Sequence, residues 1–223
     1  MIKMSNRNIP ASIRRLPQYY WIVKKLRHEC EDYISSARIA QELGISAARV
    51  RSDLHQQNIY AENCVGYEPA YLLSALRHVL GIDCCLSAVL LGATGLGRLL
   101  LDGNCLCECG MRLAAVFDRL PLADDKEVQG MEIQDFAVLP AFLDQFPVDI
   151  SIIASPSFAN NQTCEMLSQY GVKAALDITD TSFVCAASSS LMVDKFSLAE
   201  SLLSLSGMLN QKRAGVFSST TPA

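Results

Sequence analysis

Apolar side chains recur at Ile13, Leu16, Tyr20, Val23 and Leu26, the spacing of one face of a helix. Pro17 falls inside that run, so the pattern predicts a helix that carries Pro17 in its first turn or kinks there. A shorter helix follows, with Ser35 or Ser36 as its cap, Ile39, Ala40 and Leu43 inward, and Gly44 at its end, where left-handed backbone is favoured. Ser46 offers the cap of the next helix, 47–56, which turns Val50 and Leu54 inward. Two short helices around a glycine turn, behind a longer first helix, form the helix-turn-helix pattern. The polar stretch 56–66 reads as a wing or connecting loop, and 67–80 as a linker helix with Leu72, Leu73, Leu76, Val79 and Leu80 on one side.

The periodicity changes after Gly81. Residues 86–91 (LSAVLL) are a short apolar run of buried-strand type, followed at once by a glycine-rich turn and the helical LGRLLL. Strands are expected at 111–117, 148–154 and 172–178, with helices at 135–146 and 159–171 between them. Alternation of this kind predicts an α/β architecture, a Rossmann-type parallel sheet covered by helices on both faces. A closing helix is expected over 197–209, with a frayed tail beyond. The expected boundaries are therefore a winged helix-turn-helix domain at 1–80, a Rossmann-like domain at 81–194, and a C-terminal helix and tail at 195–223.

Charge follows the same division. The net charge of −4 combines an excess of five basic residues over 1–60 with an excess of nine acidic ones beyond, so a basic module that meets a polyanion is expected to precede an acidic body. No apolar run reaches the roughly 18 residues a membrane helix needs, and the first ten residues lack the apolar core of an export signal. A cytoplasmic protein without membrane contact is expected. Nine cysteines is an odd number, which in that setting predicts reduced thiols rather than a disulfide framework.

Chemistry concentrates in two places. In the turn Gly92-Ala93-Thr94-Gly95-Leu96-Gly97, Gly92 and Gly97 take the first and third positions of G-x-G-x-x-G, and Thr94 stands where the middle glycine would let backbone approach a pyrophosphate. Asp118 lies at the end of the next strand, where a carboxylate accepts from the ribose hydroxyls of NAD and repels the extra phosphate of NADP. An NAD-type dinucleotide is the ligand this spacing predicts. On the second helix of the helix-turn-helix, Ser46, Arg49, Arg51 and Ser52 are candidate DNA contacts, because arginine forks onto guanine or phosphate and a helix N-terminus donates to phosphate. Arg15, with its basic neighbours on the first helix, adds charge that can neutralise phosphate. Cys105, Cys107 and Cys109 alternate; a metal or thiol role competes there with cysteine as a small hydrophobe. No nucleophile–base pair is evident, so no enzyme is expected.

The chain resembles the Rex redox-sensing repressors of bacteria over about residues 9–209. The resemblance is carried by RLPQYY (15–20), YISSARIAQELGISAARVRSDL (33–54), VGY (65–67), the LLGATGLGRLL turn, LAAVFD (113–118), VDISIIASP (148–156) and GVKAALD (171–177). It implies a homodimer that binds double-stranded operator DNA and responds to NAD(H), with Pro156 added to the dinucleotide site and the C-terminal helix swapped into the partner subunit. The chain departs from the family pattern at Thr94 and Gly95, at Gly103 where a tyrosine is usual, at 177–180, at Ser52 where a lysine is usual, at Lys195 and in the wing. An alternative therefore stands beside the repressor: a divergent paralogue that senses a ligand or binds a protein, with weakened DNA binding or NADH response. A small dehydrogenase is the third reading, and it lacks both a substrate domain and an acid–base pair.

Overall fold

The computed structural model describes residues 10–27, 32–61, 65–93, 95–119, 127–128, 130–181 and 190–218, with side chains as far as residue 212. The chain divides into two compact units, one built from Arg7–Cys85 and Cys107–Arg112, the other chiefly from Leu86–Leu106 and Leu113–Ala223.

The first unit is helical: α1 (Ala11–Arg27), α2 (Ser36–Leu43), α3 (Ala47–His55) and α4 (Pro69–Leu80), then one 3-10 turn over Ile82–Cys84. Pro17 neither starts nor ends α1; the helix runs through it with six residues ahead of the ring. The ring removes one backbone hydrogen bond, but at an exposed position, while Leu16, Tyr19, Tyr20, Val23 and Leu26 are buried on the other side. Their contacts with Ile39, Val50, Leu54, Leu72 and Leu76 make one core. At the junction of α2 and α3, Gly44 is left-handed (φ 64°) and its N–H returns to the carbonyls of Ala40 and Gln41. Residues Ile34 and Tyr67 exchange backbone hydrogen bonds, both 2.9 Å, as an isolated antiparallel bridge. Within the expected wing, residues 62–64 lie outside the described residues.

The second unit is a seven-stranded sheet. Its strands are β1 (Leu86–Leu91), β2 (Met111–Asp118), β3 (Glu127–Val128), β4 (Met131–Asp135), β5 (Ile150–Ile153), β6 (Ala174–Asp177) and β7 (Met192–Lys195), in the order β3-β4-β2-β1-β5-β6-β7. The short β3 is antiparallel to β4; β1 with β5, β2 with β4, β5 with β6 and β6 with β7 pair parallel. The helices are α5 (Leu96–Asp102), α6 (Cys105–Glu108), α7 (Leu139–Gln145), α8 (Asn161–Gln169) and α9 (Leu198–Ser218). On β1, Val89 and Leu91 enter the core of one face and Leu90 that of the other, as the two-residue period requires for a strand buried on both sides.

Three strands were not expected from the apolar pattern: β3, β4 and β7. They lie toward the sheet's two edges, and β4 (MEIQD) buries only Ile133, so no apolar run marks them. The helix expected from residue 135 is divided for a related reason. Asp135 ends β4 and its side chain accepts from the N–H of Ala137 at 2.8 Å, starting a 3-10 turn that leads into α7. The closing helix α9 runs nine residues beyond the expected 209.

Candidate functional site

Strand order reverses at β1, which lies between β2 and β5, and the crevice outside the carboxyl ends of β1 and β5 is where open α/β sheets take ligands. The turn leaving β1 is packed more tightly than any side chain allows. Gly92 has φ +105°, and a Cβ there would come within 2.6 Å of the Ser155 Cβ and 2.7 Å of its backbone N. At Gly97, in the first turn of α5, a Cβ would overlap the carbonyl oxygen of Gly92. The two glycines therefore let α5 and the 155–158 turn close on the end of β1. Gly95 is the helix cap (φ 56°, ψ −123°), Ala93 is buried and Leu96 exposed; Thr94 lies outside the described residues.

Asp118 ends β2 beside this turn and is half-buried. One carboxylate oxygen accepts from the N–H of Ala93 at 2.9 Å, and the other from the N–H of Arg119 at 2.7 Å. Each oxygen keeps a further lone pair, so the carboxylate can accept from a diol while the turn holds it in place. Pro156 is exposed in the turn after β5, whose N–H groups at Ala154 and Ser155 return to the Leu91 carbonyl. The residues expected at the dinucleotide site and described here are thus brought together at the reversal point.

Sequence reasoning missed Arg119. Its guanidinium donates to the Ser157 carbonyl at 3.1 Å and lies over the rings of Phe136 and Phe158, 5.6 and 5.4 Å from their centroids. A cavity of about 590 Å³ opens beside it, walled by Arg119, Phe136, Gln162 and Met166 among others. Only the position next to Asp118 could have drawn attention to this arginine.

Where the chain departs from the family pattern, the residues have local work. Asp177 is buried and accepts from both the backbone and the hydroxyl of Thr179, at 2.9 and 2.6 Å. Asp180 accepts from the Ser197 hydroxyl and from the N–H of Ala199, at the start of α9. Those bonds, the Ser197 hydroxyl first, hold its carboxyl below the usual range. Gly103 has ordinary extended backbone, and a Cβ there would meet nothing closer than 3.9 Å, so its place can accommodate a side chain.

In the helical unit, Ser46 caps α3 by accepting from the N–H of Arg49 at 3.2 Å. At 100° per residue, Ala48, Arg51, Ser52 and His55 fall on one exposed strip with Arg49 at its margin, opposite Val50 and Leu54. Arg51 donates to the Ser36 hydroxyl at 3.0 Å and remains exposed.

Arg15 has a different occupation from the phosphate contact expected of it. Its guanidinium holds Asp53 with two hydrogen bonds, 2.6 and 2.8 Å, and the Tyr19 hydroxyl donates to the same carboxylate at 2.6 Å. Burial pushes the Asp53 carboxyl up, but the bonds from Arg15 and Tyr19 outweigh it and keep the carboxyl below its ordinary value. Burial first, and Asp53 second, raise the Tyr19 hydroxyl to about 12. The hydrogen bonds that Arg15 donates to Asp53 raise the guanidinium further above its ordinary value. The alternating cysteines show no metal geometry: among the described residues no group of three His, Cys, Asp or Glu is placed to hold an ion.

Comparison with known proteins adds to this geometry. A family described as "putative DNA-binding protein N-terminus" matches residues 8–55, and a family described as "CoA binding domain" matches 86–181. The redox-sensing transcriptional repressor Rex of Clostridium tetani is 27% identical over 207 residues, 92% of this chain and 97% of that protein. The protein of the same name from Brevibacillus brevis is 29% identical over 171 residues, 77% of this chain and 83% of the other. Among solved structures, a Rex-family repressor, RSP, in complex with β-NAD+ and operator DNA superposes with a TM-score of 0.80, at 24% identity, over 96% of this chain and 97% of the other. The same repressor with β-NADH gives 0.81, over 96% and 99%. At that identity the structural likeness speaks for the fold.

Proposed function

We propose that the chain is a redox-sensing transcriptional repressor of the Rex family, to whose members it is similar over 92% of its length, that it binds operator DNA through α3, and that NAD(H), held at the β1–α5 turn, modulates this binding. The observation that carries the reading is the turn itself. Gly92 and Gly97 sit where no Cβ fits, and they bring backbone and the Asp118 carboxylate together at the point where strand order reverses. That arrangement fits a dinucleotide: Gly92, Ala93, Thr94, Gly95, Leu96 and Gly97 along the pyrophosphate, Asp118 on the adenine ribose, and Pro156 from the facing turn. When bound, the cofactor supplies a redox-dependent difference in charge and shape at its nicotinamide end. The chain's own residues bind and orient it.

On the DNA side, Ser46, Arg49, Arg51 and Ser52 face the duplex, with the first turn of α3 and its capped N-terminus directed to phosphate. Arg15 acts there only through Asp53 and α3. A homodimer fits an operator with two half-sites, and α9 is the element offered for it: Leu198, Leu202, Leu203, Leu205, Met208 and Leu209 are each more than half exposed. We read the chain as a cytoplasmic regulator rather than an enzyme, since its relatives are described as repressors.

A ligand shifts DNA affinity only as far as it binds the DNA-competent and DNA-released states differently, so the test measures both bindings at once. Fluorescence anisotropy on a palindromic and a random duplex, with NADH or NAD+ titrated in, is expected to show operator preference and a larger loss of affinity with NADH than with NAD+. Arg51→Ala is expected to reduce the slope of log affinity against log salt by about 0.9 for each phosphate that is no longer neutralised. Indifference of operator binding to both dinucleotides overturns the sensing role. Equal affinity for both duplexes overturns the repressor role.

A further inference from the structure

The helical unit has a cavity of its own. It measures about 440 Å³ and lies among α1, α4 and the segment 107–112, with Tyr20, Lys24, Arg27, Arg77, Cys85 and Cys107 in its wall. Two contacts fix the segment 107–112 against the rest of the unit. Gly110 (φ +71°) packs so closely on the Ile82 carbonyl that any Cβ would overlap it, and Lys24 pairs with Glu108 at 3.4 Å. Two exposed cysteines thus face one concave space.

Their places in the chain explain why. Cys85 immediately precedes β1 and Cys107 lies four residues before β2, and those strands are neighbours in the sheet, where adjacent strands run about 4.8 Å apart. Cys85 is also one of the few non-glycine residues in left-handed backbone among the described residues (φ 50°, ψ 51°), a conformation that turns its side chain out of the course it would follow in an extended lead into β1. Three basic side chains, Lys24, Arg27 and Arg77, also line the cavity. Arg77 is answered by Asp83 at 2.6 Å and Lys24 by Glu108, while Arg27 has no acidic partner among the described residues.

We propose that Cys85 and Cys107 form a two-thiol redox site that closes to an intramolecular disulfide under a hydroperoxide. One thiolate attacks the peroxide: an S–O bond forms, the O–O bond breaks, and hydroxide or alkoxide leaves and is protonated to water or an alcohol, giving a sulfenic acid. The second thiolate attacks that sulfur; the S–S bond forms, the S–O bond breaks, and hydroxide leaves and takes a proton. Two thiols are oxidised and one peroxide is reduced. The closed ring encloses β1, the glycine turn and α5. Thiol oxidation would therefore act on the same stretch of chain that holds the dinucleotide, without using its site.

The full-length protein, reduced and then treated with hydrogen peroxide at one equivalent, is alkylated, digested with trypsin and read by mass spectrometry. A cross-link two hydrogens lighter is expected between peptides 78–98 and 99–112, with fragmentation assigning it to Cys85 and Cys107 and with full reversal by dithiothreitol. Cys85→Ser and Cys107→Ser should each abolish it, and Cys105→Ser should leave it intact. A link through Cys84 or Cys109, a link that survives either of the first two variants, or sulfinic acid with no link overturns the proposal. The wild-type assignment needs no variant, so the result stands even if a substitution impairs folding. Dinucleotide and DNA binding by the reduced protein are measured separately and do not bear on this outcome.

Discussion

Asp53 and Asp118 occupy the two units of the chain, and the same side chain does opposite work in them. Asp53 is buried at 1% exposure, and both its oxygens are taken by side chains from α1: the Arg15 fork and the Tyr19 hydroxyl. Asp118 is half-buried and held by two backbone N–H groups, with no cation paired to it among the described residues. The first arrangement joins α3 to α1 and leaves nothing for a partner. The second holds a carboxylate in place yet leaves part of its capacity to a ligand. A site is recognised here less by its charge than by how little of that charge the fold consumes.

Breaking the first arrangement should have the largest effect. Asp53→Ala strands the Arg15 guanidinium and the Tyr19 hydroxyl in a mostly dry place, and about 3 kcal/mol of stability is expected to go, at the lower end for a broken buried pair because Arg15 retains some solvent. Thermal unfolding followed by circular dichroism checks this, and an unchanged midpoint refutes it. The pH dependence has a definite sign. The folded Asp53 carboxyl lies below its unfolded value of about 3.9, so its stabilisation is complete above that value and is lost as pH falls through the folded pKa. Tyr19, raised to about 12, stabilises below pH 10 and ceases to do so as pH rises toward 12. The Asp53→Ala variant should lose the share of the acid-side slope that Asp53 contributes, while that of Asp149 and Asp180 remains.

Gly97→Ala sharpens the comparison from the other unit. The added methyl overlaps the Gly92 carbonyl, so α5 must withdraw from β1 and the turn must open. Dinucleotide affinity is expected to fall about a hundredfold, roughly 2.7 kcal/mol, with a stability loss nearer 1 kcal/mol because the strain sits at the end of the sheet. Calorimetric titration with NADH beside a melting curve separates the two. Wild-type affinity would show that the close approach is not needed.

These outcomes bear on what could be read from sequence. The helix-turn-helix and the strand–turn–helix were legible because local rules agree there: Ser46 caps, Gly44 turns left-handed, and LSAVLL is apolar enough to be a central strand. The strand MEIQD, next to the sheet's edge, was not legible, since it buries only Ile133 and so carries no apolar run. The ion pair of Arg15 was not legible, because a basic residue in a basic segment looks free until its partner, thirty-eight positions away on another helix, is seen. Arg119 was missed for the reverse reason: its partners come from the 3-10 turn at Phe136 and from the turn at Ser157 and Phe158, which sequence spacing does not connect. Asp118 was found because strand ends can be counted, although its bond to the Ala93 N–H could not be foreseen.

The smallest expected effect is the one that tests the comparison most directly. Asp118→Asn keeps one oxygen of the same shape, so the bond from the Ala93 N–H can persist; the exposed Arg119 N–H loses its acceptor to water, and the melting temperature should hardly move. The variant gives up the negative charge and one acceptor, which weakens what a ribose diol gains at this position. A hydrogen bond to a charged group contributes about 1.5–3 kcal/mol, so NADH affinity should fall roughly tenfold. The charge that disfavours a 2′-phosphate goes too, and the preference for NADH over NADPH should narrow by a similar factor. If instead Asp118→Asn unfolds the protein as Asp53→Ala is expected to do, the two carboxylates are alike after all, and Asp118 serves the turn rather than a ligand. If stability and affinity are both unchanged, the ribose is held elsewhere, and Arg119 beside the 590 Å³ cavity is the next residue to substitute.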